Sequence, residues 1–330
     1  EQPYYWNIAP NYDMTISPRL MSNRGVQLKT EFRYLTESSQ GNLFLEYLPN
    51  DTKLASDDSR YFYRYQHQGM LGDSWMVNAD LNGISDNNYI VDLGSDFYNR
   101  SDTTINRTLG VEYFSNHVDF SLYVRDFDTI GDYEDIYRAL PEAKIQLRQP
   151  LGDMLALTVD SELAYFDNAQ ENNPTALRWH VAPTLSLPYQ RYWGEMTAEL
   201  TVMNTYYHQR EIEGTLLEEE VNRTLTRGRL FSSLYLERND NLLGNNMTVT
   251  LEPKIQYLYT SYEDQSNIGL YDTTALLNDV NGLFRGQEFT GLDRINDNNQ
   301  ITLGVTSRVI DDANREQFVV SLGQIFYLAD

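Results

Sequence analysis

Met247-Thr248-Val249-Thr250-Leu251-Glu252-Pro253-Lys254-Ile255-Gln256-Tyr257-Leu258-Tyr259 is the stretch that decides the fold. Met247, Val249, Leu251, Ile255, Tyr257 and Tyr259 share one parity; Thr248, Thr250, Glu252, Lys254 and Gln256 share the other. Alternation at period two gives a strand one apolar and one polar face. The run is also long. Soluble sandwich strands average about five or six residues, whereas a tilted strand needs about nine to eleven to cross a bilayer.

Working outward, the pattern repeats from about Val26 to Tyr327. Val26, Leu28, Phe32 and Tyr34 alternate with Gln27, Lys29, Glu31 and Arg33. Val118, Phe120, Leu122 and Val124 alternate with Asp119, Ser121 and Arg125, and Ile301, Leu303 and Val305 with Thr302, Thr306 and Arg308. The gaps between runs sort by length. Short ones fall near Ser38–Gly41, Met70–Asp73, Asn116–His117, Pro150–Asp153, Gln190–Trp193, Asn239–Asn246 and Asp311–Asn314. Long ones fall between them, at Pro49–Ser59, Gly83–Thr104, Asp128–Arg138, Asp167–Ala176, Gln209–Asn222 and Glu263–Asn298. Outer-membrane barrels have short turns at one end and long loops at the other; a Greek-key sandwich has no reason to sort its connections so. The expected fold class is therefore all-β, an antiparallel transmembrane β-barrel, with about fifteen strands in this chain.

Composition agrees with that class without proving it. Mean hydropathy is −0.53, and no apolar run reaches the roughly 18 residues of a membrane-spanning helix. A barrel escapes that limit because only alternate residues of each strand face lipid. Tyr outnumbers Phe and Trp, 25 against 13 and 4, which suits strands and membrane interfaces equally. The net charge of −23 argues against nucleic acid, which needs a basic surface. With no Cys, disulfides and thiolate chemistry within the chain are excluded.

Glu1-Gln2-Pro3-Tyr4 lacks the basic start and apolar core of a signal peptide. Gln324-Ile325-Phe326-Tyr327-Leu328-Ala329-Asp330 ends within a strand-like run. The expectation is a piece of a larger barrel, residues 1–330 forming one partial domain without a linker.

Catalytic patterns are absent. His67, His117, His180 and His208 are scattered, and there is no nucleophile elbow, Walker A loop or dinucleotide fingerprint. An enzyme, a metal site and a cofactor are not expected. The stretch Asp293-Arg294-Ile295-Asn296-Asp297-Asn298-Asn299 has oxygen ligands suited to Ca²⁺ but lacks the Gly and terminal Glu of an EF-hand loop, so a solvated turn is the expected state.

Pro3, Pro10 and Pro18 bracket the first strand-like segment, Tyr4 to Ser17. Proline donates no ladder hydrogen bond. Two readings stand: the prolines simply start and end the strand, or they weaken a seam in the wall. Pro183 and Pro253 also lie inside strand patterns, where bulges would accommodate them.

Several blocks resemble one family. They are Pro3-Tyr4-Tyr5-Trp6-Asn7-Ile8-Ala9-Pro10-Asn11, Glu31-Phe32-Arg33-Tyr34-Leu35, Leu251-Glu252-Pro253, Gln256-Tyr257-Leu258-Tyr259 and Asp264-Gln265-Ser266. Gly282-Leu283-Phe284-Arg285, Gly291-Leu292-Asp293-Arg294-Ile295, Asn299-Gln300, Gly304-Val305-Thr306-Ser307-Arg308 and Gly323-Gln324-Ile325 follow in order. Together these resemble the first part of the barrel of the LptD family, the lipopolysaccharide-assembly proteins of the Gram-negative outer membrane. The resemblance implies a barrel of about twenty-six strands, of which this chain covers slightly more than half. It implies transport without covalent chemistry: lipopolysaccharide arriving over a periplasmic Lpt bridge, its lipid leaving sideways into the membrane between first and last strands, its sugars passing through the lumen, and the lipoprotein LptE as plug. By the same resemblance Pro3 and Pro18 match strand-weakening positions of a lateral gate, with Pro10 between them. A porin-like diffusion channel is the alternative; a barrel enzyme and a soluble adhesin stand further off.

Overall fold

A computed structural model describes residues 1–54, 58–130, 136–168, 170, 172–242, 245–277, 279 and 282–328. Parts of the gaps at Pro49–Ser59, Asp128–Arg138, Asp167–Ala176, Asn239–Asn246 and Glu263–Asn298, and the terminal Ala329 and Asp330, lie outside the described residues.

The described residues are almost wholly antiparallel strand, as the alternation requires. Seventeen strands are defined among them: β1 Tyr4–Ala9, β2 Tyr12–Met21, β3 Gly25–Leu35, β4 Ser39–Leu48, β5 Arg60–Leu71, β6 Trp75–Ile84, β7 Thr104–Phe114, β8 Val118–Thr129, β9 Arg138–Leu151, β10 Leu155–Asp167, β11 Thr175–Arg191, β12 Gly194–Arg210, β13 Glu220–Leu234, β14 Leu236–Leu242, β15 Asn245–Thr260, β16 Asn298–Asp311 and β17 Glu316–Tyr327. One short helix, α1 Tyr89–Leu93, interrupts the segment between β6 and β7.

Both strands beyond the expected fifteen have a local cause. The segment Tyr4 to Ser17 is not one strand: it breaks at Pro10-Asn11 into the hairpin β1–β2. β13 and β14 are one strand interrupted at Tyr235, since Ser233 pairs with Lys254 and Leu236 with Leu251 in unchanged register. Pro253 lies opposite this break. It pairs with Val305 of β16 without a register shift, so the bulge expected there is absent. A proline has no N–H to offer the β13 side; Tyr235, at the break, continues the β12–β13 register and donates its backbone N–H to the Trp193 carbonyl at 2.8 Å. The expected gap at Asn239–Asn246 also closes up, for β14 and β15 pair as far as Leu242 and Asn245.

The chain divides into two compact units. The first comprises Glu1–Ile145 and Leu163–Thr175, the second Gln146–Glu162 and Ala176–Asp330. In the first, β1 to β8 pair each with the next. Successive antiparallel strands place their connections at alternate ends, so the short turns β1–β2, β3–β4, β5–β6 and β7–β8 share one end. Gly25 enters β3 at a φ of +113°, where a side chain is strained. In the second unit β12, β13, β15, β16 and β17 form the corresponding ladder.

The two faces are inverted relative to a soluble sheet. Glu46 is 0% exposed while its neighbours Leu45 and Tyr47 are 41% and 44% exposed; Arg178 is 0% exposed between Leu177 at 38% and Trp179 at 55%. The apolar face is the open one. In water this arrangement wastes the hydrophobic effect, whereas in lipid it is the favourable one.

Candidate functional site

The predicted site residues all lie around the first hairpin. Pro3 immediately precedes β1, Pro10 occupies the β1–β2 turn, and Pro18 is inside β2 opposite Leu28 of β3. The β1–β2 ladder runs only from Ala9↔Tyr12 to Tyr4↔Ile16, with a register shift between Asn7 and Ala9. Continued by one pair, it would bring Pro3 against Ser17; by two, Gln2 against Pro18. The ladder therefore holds five residue pairs, half the ten of β2–β3. Within the ladder, Trp6 pairs with Met14 and Tyr4 with Ile16 on the apolar face. Asp13 on the polar face takes Arg33 Nε at 2.8 Å.

The polar faces carry two buried networks that local patterns do not announce. In the first unit, the segment bearing α1 folds onto β2–β5. Tyr89, Ile90 and Leu93 pack with Leu48, Phe62, Ile105 and Ile130. Tyr89 Oη donates to Glu46 at 2.6 Å, and Gln27 Nε2 donates to the same carboxylate at 3.0 Å. Arg60 binds Asp51 at 3.1 Å, Asp86 at 2.7 Å and Asp92 at 2.9 Å. Arg24 adds Asp51 at 2.5 Å and Asp92 at 3.2 Å. Burial works against ionisation of Asp51 and Asp86, but the Arg60 guanidinium overcomes it and holds both carboxyls below their ordinary range.

In the second unit, the described residues of 261–297 fold back onto β11–β13. Arg178 is the hub. Its Nε and Nη2 donate to Glu162 at 2.8 and 2.5 Å, Nη1 and Nη2 to Asp272 at 2.9 and 2.5 Å, and Nη1 to Asp293 at 2.8 Å. Those five bonds account for the five N–H donors of a guanidinium. Asp293 also accepts from Tyr207 Oη at 3.2 Å and from the backbone N–H groups of Tyr271 and Asp272 at 2.7 and 2.9 Å. Gln209 accepts from Gly269 N at 2.8 Å and Tyr271 Oη at 2.7 Å. Arg223 donates to the Leu292 and Asp293 carbonyls at 2.6 and 3.1 Å. Burial opposes ionisation of Asp272, yet the Arg178 bonds keep its carboxyl low; burial and the neighbouring Asp272 push Asp293 up.

Asp293 is fully buried, so the solvated turn expected for residues 293–299 is not what forms there. Arg178 supplies the reason: it needs carboxylate partners in a polar face closed to water. The histidines do not converge. His180 shares a 2.8 Å hydrogen bond with Thr205, His208 accepts from Arg210 at 3.2 Å, and His67 meets Tyr34 and Tyr65 on the apolar face. No group of three or more His, Asp or Glu suited to a metal ion occurs among the described residues.

A further seat lies near the tip of the same loop. Gly304 of β16 pairs with Gly323 of β17, and over this pair sit Phe284 and Leu283. A Cβ on Gly304 would come within 2.8 Å of the Phe284 ring, and one on Gly323 would collide with Leu283. Phe284 also meets Phe231 edge-on at 5.8 Å. Gly282-Leu283-Phe284, Gly304 and Gly323, which are far apart in the chain, are thus one packing unit.

Comparison with known proteins places these features in a family. Residues 58–330 match the family model described as "LptD: LPS transport system D". The chain is 59% identical over 330 residues to the LPS-assembly protein LptD of Pseudoalteromonas atlantica, covering 100% of this chain and 44% of that protein. It is 42% identical over 331 residues to that of Shewanella denitrificans, covering 99% and 43%. It is 40% identical over 330 residues to that of Pseudoalteromonas translucida, covering 99% and 44%. The chain thus spans less than half the length of these curated relatives.

Proposed function

This chain belongs to the LptD family, and we propose that it forms part of the wall of an outer-membrane barrel that carries lipopolysaccharide to the outer leaflet. The observation that carries the proposal is the inversion of its faces: apolar outward, polar and arginine-bearing inward. The first suits contact with membrane lipids. The second suits passage of a sugar chain. No covalent step is part of this role, and no cofactor.

In this reading the lateral seam lies at the first strand, β1, where it would meet the last strand of the barrel. Pro3 and Pro18 stand where the next pairs of the β1–β2 ladder would involve them, and a proline offers no backbone donor, a bond worth about 0.5–1.5 kcal/mol net. The short β1–β2 ladder, bounded by Pro3 and Pro18, supports a weakly held first strand at that seam. Lipopolysaccharide would be delivered by a periplasmic Lpt bridge, and the LptE lipoprotein would plug the lumen. The loops folded over the polar face in each unit favour a plugged translocon over a porin-like diffusion channel.

The test uses the full-length protein carrying Pro3→Ala and Pro18→Ala. Surface lipopolysaccharide should fall while the amount of inserted barrel stays constant. Unchanged export would sink the seam. Steady open-channel conductance of the plugged wild type in planar bilayers would favour the porin.

A further inference from the structure

Residues 85–99, between β6 and β7, run across the wall strands rather than along one of them. They meet β2 through Arg19, whose Nη1 donates to the Leu93 carbonyl at 2.9 Å and to Gln27 of β3 at 3.2 Å. They meet β3 again where Gln27 Nε2 donates to Tyr89 Oη at 2.8 Å and Lys29 Nζ to Asp96 at 3.2 Å. On β4 their partners are Glu46, which accepts from Tyr89 Oη at 2.6 Å, and Phe44, whose ring meets Phe97 edge-on at 4.8 Å. On β5 Arg60 binds Asp86 and Asp92, and Phe62 stacks on Tyr89 at 6.2 Å. Leu93 closes α1, where helix carbonyls lack partners of their own, and Arg19 supplies the missing donor.

Ladder hydrogen bonds join a strand only to its neighbours. A segment fixed to β2, β3, β4 and β5 at once adds a tie in the perpendicular direction. Parting any two of them then breaks side-chain bonds as well as a ladder. The ladders themselves hold ten pairs for β2–β3, eight for β3–β4 and ten for β4–β5. β1 differs on both counts. Its ladder to β2 has five pairs, and among the described residues none of Tyr4–Ala9 bonds to residues 85–99. Glu1, ahead of β1, makes only loose contacts with Arg19 at 3.8 Å and Lys29 at 3.5 Å; exposed pairs of this kind contribute little. The edge of the tie and the shortest of these ladders fall at the same place.

We propose that residues 85–99 are an internal brace that holds β2 to β5 as one rigid piece, so that opening of the wall at the first strand displaces β1 alone. The brace stands on the contacts just described; its bearing on opening rests on the seam reading. Without it β2 would follow β1, and the opening would widen by one strand spacing, about 4.8 Å.

Hydrogen exchange of the full-length protein in nanodiscs tests the brace. In wild type the β1–β2 amides should exchange at least about tenfold faster than those of β2–β3. Arg19→Gln, which removes a charge-assisted bond to Leu93, should speed the β2–β3 amides about tenfold. The amides of Asp92 and Gly94, which donate to the Asn88 and Ile90 carbonyls at 2.9 and 3.0 Å, should speed with them. Arg33→Gln breaks the Arg33–Asp13 pair between the same two strands without touching the brace, and should leave Asp92 and Gly94 as they are. Equal wild-type protection in the two ladders overturns the proposal. So does unaltered exchange of Asp92 and Gly94 in Arg19→Gln, or their acceleration in Arg33→Gln. The wild-type comparison needs no variant, so a misfolded variant leaves the test intact. If exchange behaves as expected but Pro3→Ala and Pro18→Ala leave lipopolysaccharide export unchanged, the seam falls and the brace stands. If export fails in the proline variants while exchange in Arg19→Gln matches wild type, the brace falls and the seam stands.

Discussion

Replacing Arg178 with Met should release residues 261–297 from the polar face of their unit. Methionine keeps much of the volume and removes the charge. Glu162, Asp272 and Asp293 then face one another without the guanidinium that now donates five hydrogen bonds to them. Removing one partner of a buried ionic cluster costs about 3–5 kcal/mol. Proton uptake by Asp293, already pushed up by burial, relieves part of this and favours the lower figure. The loop can also relieve it by undocking, which carries Asp272 and Asp293 back to water. The cost therefore appears as local opening, increased about 10²-fold at 3 kcal/mol. The assay is hydrogen exchange in the full-length protein. The reporters are the amides of Tyr271 and Asp272, which donate to Asp293, and of Gly269, which donates to Gln209. They should lose protection together, while amides of the β12–β13 ladder keep theirs. Unchanged protection at Tyr271 and Asp272 would refute the claim that Arg178 holds the loop.

Three further outcomes follow from the same geometry. Asp51 and Asp86 have depressed folded-state pKa values, so their stabilisation is present above the ordinary carboxylate range and lost as pH falls through the depressed values; exchange of the Tyr89–Leu93 segment should accelerate below about pH 4, and pH-independent protection would contradict it. Gly304→Ala should unseat Phe284 at a cost of about 1–3 kcal/mol, read as faster proteolysis near residues 282–286. Gly228→Ala, whose Cβ would meet open space, should leave cleavage unchanged. Leu200→Arg, on the apolar face of β12, should cost about 2–4 kcal/mol in bilayer refolding titrations if that face meets the membrane interior, and a near-zero cost would count against it.

Strand class and connection pattern were legible because they are local. Period-two alternation identifies each wall strand without knowledge of its partner, and the length of a gap is visible in the chain. Errors arose where one residue type has two local meanings. Pro10 read as a mark inside a strand, yet with Asn11 it makes a turn. Pro253 read as a bulge, yet the partner strand broke instead, opposite it. The networks were illegible for a different reason. Arg178 lies 94 residues from Asp272 and 115 from Asp293, and no local period records such a pairing. Asp293, within an acidic and Asn-rich stretch, has the composition of a solvated turn; Arg178, with Tyr207 and the backbone of Tyr271 and Asp272, holds it buried. Pro3, Pro10 and Pro18 were visible from the outset, but their places just outside the β1–β2 ladder required the register of β1 on β2.

The span of the Arg178 hub also sets an order of events in folding. Closing a free chain of 115 residues to join Arg178 to Asp293 costs about 4 kcal/mol of loop entropy. Once β12 to β16 have zipped, Thr260 and Asn298 are already paired, and most of that cost has been met by the ladders. Before then Arg178 has only Glu162 of the neighbouring strand. Docking of Asp272 and Asp293 is therefore favourable late and unfavourable early. The hub acts as a timer: the mouth of this segment stays open while its strands are being laid down and closes once they are complete.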